Sequence, residues 1–321
     1  MNTRQSVLSA SCLIFALLAA SAHAQPSMRP RDVDALSSST PTLVAKYGSD
    51  ALQFGELRLP KGDKSANGIG PFPVLVVIHG GCWTKGFAQA GNTAALASKL
   101  TEAGIATWNV EYRQVGDAGG GWPGTFQDWA TATDYLRVLA KTQPLDLSRV
   151  AVTGHSAGGH AALWVAARSK LAKSSEIRGD DPLPVHAAIA IDGPGDIASF
   201  IGLDAKICGK PVIEPLMGGS PATQPARYAQ GSPRALLPLG VPQYLIAARV
   251  LLPDDASKYQ AQAKAAGDRV ELLVPTPAGH FDIIGPGSAI WPTVEEFTVK
   301  AVMGLKLPDS GGAGSRSHLS R

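Results

Sequence analysis

The sequence has little that points to metal, nucleotide or nucleic-acid chemistry. Three of its 321 residues are cysteines, none of them in a C-x-x-C pair, and no two histidines stand at helical spacing beside an acidic partner. We therefore expect no metal site. The formal net charge of +3 is small and spread along the chain, which argues against nucleic-acid binding. The chain shows neither a glycine-rich nucleotide loop nor an internal repeat, and we expect no cofactor.

Apolar residues, in contrast, are plentiful. They make up 45% of the chain, whereas charged residues make up 17%. A chain of this length and composition can bury a full core without a partner. We therefore predict one domain, over residues 49–307.

The amino terminus has the pattern of a secretory signal over residues 1–24. Arg4 is followed by an apolar stretch from Val7 to Ala20 and by a small-x-small cleavage site at Ala22-His-Ala24. The apolar stretch is short for a membrane span, although an uncleaved anchor is the alternative. We expect a mature chain that starts near Gln25, lies in the periplasm or outside the cell, and has no stable membrane insertion.

Both ends of the predicted mature chain are expected to lack a fixed structure. Residues 25–48 are rich in serine, proline and arginine and predict a flexible lead-in, and the Gly/Ser/Arg-rich residues 308–321 predict a disordered tail.

Between these ends, apolar runs alternate with amphipathic stretches. Because strands that alternate with helices form a mostly parallel sheet with helices on both faces, the predicted fold class is α/β. The Pro/Gly-rich stretch from Gly195 to Leu239 predicts an insertion over the active face. Predicted strands cover residues 52–59, 73–79, 105–112, 150–152, 185–191, 243–248 and 270–274, and predicted helices cover 93–103, 126–141, 161–168, 256–266 and 293–303.

A serine stands at the centre of this pattern. Gly154-His-Ser-Ala-Gly158 follows the apolar run Val150–Val152 and precedes a helix-forming stretch. A G-x-S-x-G motif between a strand and a helix is typical of a strained turn that exposes a nucleophilic serine. The alternative interpretation is a serine that only caps an ordinary helix. The first interpretation makes Ser156 a candidate nucleophile.

A serine nucleophile needs a general base, and His280 is the candidate. It lies in a Gly/Pro loop directly after the last predicted strand, at the edge where parallel sheets carry their reacting groups. The other histidines of the mature chain stand in a glycine loop, beside the serine, at the wrong end of a strand or in the tail (His79, His155, His160, His186 and His318).

Serine chemistry also needs donors for the developing oxyanion. The stretch His79-Gly-Gly-Cys-Trp83 follows a predicted buried strand, and its glycines allow backbone N–H groups to point inward. Together with the N–H of Ala157, this loop predicts an oxyanion hole.

These motifs together resemble α/β-hydrolases of the kynurenine-formamidase and feruloyl or acetyl-xylan esterase groups. The resemblance runs over roughly residues 50–305 and includes Glu111-Tyr-Arg113 and Ala278-Gly-His-Phe281. It implies an α/β-hydrolase fold, a serine acyl-hydrolase mechanism without a cofactor, and oxyanion N–H groups from Gly81, Cys82 and Ala157.

The acid is where the chain departs from that family. Its members usually carry the acid as aspartate in a G-x-x-D-x-x-V-P loop, but here the loop reads Ala247-Ala-Arg-Val-Leu-Leu-Pro253. Asp192, at the end of the strand over residues 185–191, is our first choice, because a carboxylate that ends a buried strand needs a charged partner. Asp254 is the alternative, and Asp255 and Asp196 rank behind it.

Two cysteines remain after signal removal, Cys82 in the oxyanion loop and Cys208 in the insertion. They either form a disulfide, as an oxidising compartment favours, or stay as two buried thiols.

The predicted function is hydrolysis of a small carboxylic ester by an exported serine hydrolase. An arylformamidase or amidase is the alternative within the same chemistry. A non-catalytic binding module on a hydrolase scaffold is the alternative outside it, and the missing loop aspartate is the feature that suggests it.

Overall fold

One eight-stranded sheet organises the protein. The computed structural model describes residues 27–61 and 70–304, so the predicted signal, the predicted tail and residues 62–69 lie outside the described residues. The strand order is β1-β2-β4-β3-β5-β6-β7-β8. The strands are β1 (Leu43–Lys46), β2 (Phe54–Arg58), β3 (Phe72–Ile78), β4 (Ala106–Val110), β5 (Leu145–His155), β6 (Ala187–Ile191), β7 (Gln243–Ile246) and β8 (Val270–Leu273).

Strand direction divides the sheet into two parts. β1 and β2 are antiparallel to their neighbours, whereas every pairing from β4 to β8 is parallel. The carboxyl ends of β3, β5, β6, β7 and β8 therefore meet at one edge, where the candidate residues follow.

Helices cover both faces of the sheet. They are α1 (Pro30–Asp34), α2 (Ala94–Glu102), α3 (Gly124–Asp134), α4 (Leu136–Leu139), α5 (Ala157–Ala167), α6 (Leu203–Cys208), α7 (Ile213–Met217), α8 (Pro225–Gly231), α9 (Pro253–Ala265) and α10 (Trp291–Met303). This architecture confirms the predicted α/β-hydrolase fold.

The strand β3 and the helix α5 are buried along their full length. All seven residues of β3 and all eleven of α5 are buried. A strand covered on both faces reads as a continuous apolar run rather than an alternating one, as Phe72–Ile78 does. The candidate site thus rests on fully buried elements.

The prediction of a flexible lead-in over residues 25–48 is wrong where the structure describes it. Residues 30–34 form α1, and Leu43–Lys46 pairs with β2 along its full length. The Ser39 N–H and hydroxyl also bond Ser98 on α2. The domain therefore begins before residue 49. Backbone pairing at a sheet edge needs no apolar pattern, so the polar composition concealed it.

The insertion, residues 195–239, is more ordered than its composition suggests. It contains α6, α7, α8 and a 3₁₀ turn over Pro233–Leu236. It contacts α5, because His160 Nε2 donates to Gly231 O and Trp164 Nε1 donates to Gln230 O. The insertion is thus docked against the helix that follows the candidate serine.

Candidate active site

Ser156 lies on the turn between β5 and α5. Its backbone is left-handed, with φ 56° and ψ −117°, and its N–H donates to Ile191 O at 2.8 Å. A non-glycine residue in this region is strained and persists only where its surroundings hold it. This conformation is the one that the strand–serine–helix motif predicts.

The glycines of the motif are needed for close packing. A Cβ on Gly158 would overlap Ile78 O and lie 2.7 Å from His79 O, and a Cβ on Gly154 would overlap Gly158 O. Because neither glycine has a Cβ, the amino terminus of α5 can approach the end of β3.

His280 and Asp192 meet at the carboxyl edge of the sheet. His280 Nδ1 donates to Asp192 Oδ2 at 2.6 Å. Because Nδ1 carries the proton, Nε2 of the neutral ring is left as an acceptor. The side chain of His280 is 18% exposed and that of Asp192 is fully buried. This is the arrangement of a base and the acid that orients it.

His155 connects this pair to Ser156. Its Nε2 donates to His280 O at 2.8 Å, and its ring centroid lies 4.2 Å from that of His280. The structure thus places the imidazole of His280 against the residue that precedes Ser156. Among the described residues, no hydrogen bond joins Ser156 Oγ to this imidazole, and such bonds commonly tighten only when a substrate is bound.

Burial decides the charge of His155. Burial lowers its pKa well below the usual value, and the neighbouring His280 lowers it further. His155 is therefore neutral beside the candidate base and does not compete with it for Asp192.

Asp192 sits in a cradle of backbone donors. Its two oxygens accept the N–H groups of Ala248, Arg249, Val250 and Leu251 at 2.9–3.1 Å. Burial alone would raise the pKa of Asp192, but the bonds from His280 and from these amides outweigh it and hold the pKa below its usual value. The loop that carries aspartate in the resembling family here donates amides to an aspartate from the preceding strand.

The other three acids lie elsewhere. Asp254 and Asp255 are exposed in the first turn of α9, and Asp255 pairs with Lys258. Asp196 pairs with Arg234 at 2.6 Å. Of the four sequence candidates, only Asp192 bonds His280.

The oxyanion loop runs along the serine turn. A Cβ on Gly80 would lie 2.8 Å from His155 O and 3.1 Å from the Ser156 Cβ. Gly81, Cys82 and Trp83 then have φ values of 103°, 52° and 54°. The N–H groups of Gly81 and Cys82 have no acceptor among the described residues, and Ala157 opens α5, where N–H groups lack helical acceptors.

Two carbonyl contacts orient those donors. Gly80 O accepts His79 Nδ1–H at 2.8 Å, and Gly81 O accepts the Thr84 N–H at 3.0 Å. Because the C=O and N–H of a trans peptide point in opposite directions, each contact directs the following N–H the other way. The two contacts thus set the direction in which the N–H groups of Gly81 and Cys82 point.

A buried hydrogen-bonded pair, His79 and Glu111, holds the start of the oxyanion loop. His79 Nε2 donates to Glu111 Oε1 at 2.9 Å, and Glu111 also accepts the N–H groups of Ala90 and Tyr112. Burial would raise the pKa of Glu111, but the charge and hydrogen bond of His79 and the two amides outweigh it and lower the pKa. Both ring nitrogens of His79 lie within hydrogen-bonding distance of an oxygen atom, which holds the ring between Glu111 and Gly80.

Cys82 and Cys208 form a disulfide, with their Cα atoms 6.1 Å apart. The oxyanion loop is therefore bonded to the end of α6 in the insertion.

Sequence reasoning missed three contributors: the 248–251 cradle, His155 and Glu111. The sequence offered a signal only for Glu111, which stands in the family motif Glu111-Tyr-Arg113. Backbone donors leave no side-chain signature, and His155 reaches a residue 125 positions away.

Neither a metal-binding cluster nor a membrane-spanning helix is found among the described residues. Within residues 27–61 and 70–304, no group of three or more His, Cys, Asp or Glu side chains could hold a metal ion. Over the same ranges, no helix has the length and apolar character to cross a membrane.

Solved structures share this fold at low sequence identity. A truncated carbohydrate esterase from gut microbiota is 21% identical with a TM-score of 0.65, over 83% of this chain and 98% of that one. Esterase B of Lactobacillus rhamnosis is 20% identical with a TM-score of 0.68, over 86% of this chain and 89% of that one. A thermophilic esterase of Thermogutta terrifontis is 18% identical with a TM-score of 0.64, over 84% and 96%.

The search of curated proteins gave no match. The BD-FAE family model matches residues 62–248, which is more than half of the chain and includes the oxyanion loop, Ser156 and Asp192. The sheet order, the serine turn and this match lead to one conclusion: the chain belongs to the BD-FAE family and has the α/β-hydrolase fold.

Proposed function

We propose that this protein is a serine esterase that cleaves small carboxylic esters through an acyl-enzyme intermediate. The observation that carries the proposal is the 2.6 Å bond between His280 Nδ1 and Asp192, on a ring packed 4.2 Å from that of His155, next to Ser156. The esterase names of the structural neighbours support it, as does the phosphonate-inhibited form of esterase B.

In the first step of this mechanism, each residue of the site has a defined role. Ser156 Oγ attacks the ester carbonyl while His280 Nε2 accepts its proton. Asp192 holds the ring and stabilises the imidazolium that forms. The carbonyl oxygen becomes an oxyanion and accepts the N–H groups of Gly81, Cys82 and Ala157.

The intermediate then collapses in two stages. His280 returns its proton to the departing alcohol, which leaves an ester between Ser156 and the acyl group. A water molecule, deprotonated by His280, attacks that ester and releases the acid and the free serine.

A fluorophosphonate probe and a substrate panel test this proposal. We expect the wild type to react with the probe and to hydrolyse short-chain p-nitrophenyl esters, and Ser156→Ala to do neither. Faster turnover of an aryl formamide than of any ester would favour the amidase alternative. Failure of the wild type to react with probe or substrate would favour a binding module.

We also propose that the protein is exported and that its signal is removed near Gln25. The basic start, the apolar stretch and the Ala22-His-Ala24 site support this proposal. Expression of the full chain, residues 1–24 included, in a bacterium, followed by amino-terminal sequencing of the product, tests this proposal. A chain that stays in the cytoplasm and keeps Met1 would contradict it.

A further inference from the structure

We propose that the Cys82–Cys208 disulfide positions the oxyanion N–H of Cys82, which makes Cys208 a positioning residue for acyl transfer and makes the reaction sensitive to reduction. The inference rests on the proposed esterase function. It predicts that breaking the disulfide between the oxyanion loop and the insertion lowers kcat while the fold stays intact.

Cys82 has a backbone conformation that residues with a side chain rarely adopt. Its φ of 52° lies in the left-handed region, between Gly81 at 103° and Trp83 at 54°. Left-handed backbone is disfavoured for residues with a Cβ, and glycine is the usual residue there. A cysteine at this position therefore relaxes toward ordinary backbone angles unless other contacts hold it.

Gly81, Cys82 and Trp83 are held by different contacts. The side chain of Trp83 is buried and donates to His160 Nδ1 at 3.2 Å. Gly81 has no side chain, and its carbonyl accepts the Thr84 N–H. The Cys82 carbonyl accepts Thr84 Oγ1 at 2.9 Å, but its half-buried side chain is fixed by the disulfide. Of the three, Cys82 is the one held through a bond to the insertion.

The far end of the disulfide is itself anchored. Cys208 is buried at the end of α6. The buried Asp204 of the same helix accepts the N–H groups of Val212 and Ile213 at 2.8 and 3.1 Å, which ties α6 to α7. α7 in turn bonds the body of the domain, because Leu216 O accepts the Trp122 N–H at 2.8 Å. The disulfide thus joins the loop to a fixed point.

A weaker contact lies beside the disulfide. Lys210 Nζ lies 5.5 Å from the ring centroid of Phe87, which is 45% exposed. A cation–π contact at an exposed site is weak, so it does not hold the loop once the disulfide is broken.

The chemical step is ordinary thiol–disulfide exchange. A dithiol reductant attacks one sulfur, the Sγ–Sγ bond breaks, and the protein gains two electrons and two protons as two thiols. The reductant becomes the cyclic disulfide. Oxidation by a disulfide such as oxidised glutathione reverses the step.

The experiment compares oxidised and reduced wild type with Cys208→Ser in p-nitrophenyl ester hydrolysis. Alkylation and intact mass give the thiol count, and circular dichroism reports the fold. We expect reduction to lower kcat roughly tenfold, less than the loss of a whole oxyanion donor, with KM changed less than twofold. Cys208→Ser should show the reduced kcat without reductant and no response to it, and reoxidation should restore the wild type.

Lys206→Ala is the matched control, since Lys206 lies exposed on the same helix, and it should keep both the oxidised kcat and the response to reductant. An unchanged kcat in fully reduced, folded wild type would overturn the inference and leave the esterase function standing. Unfolding on reduction would overturn it too, because the disulfide would then act on the whole fold. An inactive oxidised wild type would remove the proposed function and this inference together.

Discussion

Asp192 orients an imidazole and also closes a loop. Its carboxylate is fully buried, bonds His280, and accepts the backbone N–H groups of residues 248–251. A buried charge is tolerated only when it is paired and hydrogen-bonded, and this one is both. The contacts that distinguish Asp192 from the other candidate acids are therefore all made by its own carboxylate.

Replacing Asp192 with asparagine should lower kcat by about 10³- to 10⁴-fold, because an amide neither stabilises the imidazolium nor enforces the correct tautomer. The measurement is steady-state hydrolysis of p-nitrophenyl acetate. Asp254→Asn is the matched control, since Asp254 is exposed on α9, and it should stay within twofold of the wild type. The reverse ranking of the two variants would exclude Asp192 as the acid.

His160 gives a prediction for stability against pH. Burial lowers its pKa to about 4, whereas the unfolded chain has the ordinary value of 6.5. At pH values between about 4 and 6.5, the imidazole of His160 is therefore protonated in the unfolded state and neutral in the folded state. The stabilisation that the neutral ring contributes is complete above pH 6.5 and is lost as the pH falls toward 4.

Urea denaturation at pH 7 and pH 4.5 measures this effect. The wild type should lose roughly 2–3 kcal/mol more unfolding free energy over that interval than His160→Gln, which cannot titrate. Gln is the chosen variant because its amide can donate to Gly231 O and accept from Trp83, as the imidazole does. Equal losses in the two proteins would contradict the assignment.

At the scale of elements, strand, turn and helix around Ser156 act as one unit. The motif predicted the turn because its steric needs are local: glycines where α5 meets β3, and a strained serine between them. The acid was harder to assign from sequence because its environment comes from three separate loops. A backbone cradle such as residues 248–251 has no residue-type requirement, so no pattern marks it.

Gly158→Ala tests the contact between α5 and β3. The new Cβ would overlap Ile78 O, so α5 must move and carry the Ala157 N–H away from the site. We expect a loss of about 1–3 kcal/mol in unfolding free energy and at least a roughly hundredfold loss in kcat/KM.

Gly91→Ala is the control for that substitution, because a Cβ there meets nothing within 4 Å. Its stability and activity should match the wild type. If Gly158→Ala is as active as Gly91→Ala, the close approach of helix and strand is not needed for catalysis.

At the scale of the whole molecule, the sequence predicted the parallel part of the sheet and misjudged its edge. Buried parallel strands such as Phe72–Ile78 and Ala187–Ile191 are continuous apolar runs and are recognisable as such. β1 is held by pairing with β2, and the insertion's short helices are held by contacts such as Asp204 with residues 212 and 213. Both depend on specific hydrogen bonds that local composition does not reveal.

In the proposed mechanism, the loops that follow β3, β5 and β8 bring the oxyanion donors, the nucleophile and the base around one acyl carbon. Mass spectrometry of protein rapidly quenched in acid during turnover of a p-nitrophenyl ester tests it most directly. We predict an added acyl mass on the peptide that contains Ser156, its loss in Ser156→Ala, and its strong reduction in Asp192→Asn. Turnover without any acylated peptide, or an acyl group on another residue, would contradict the account.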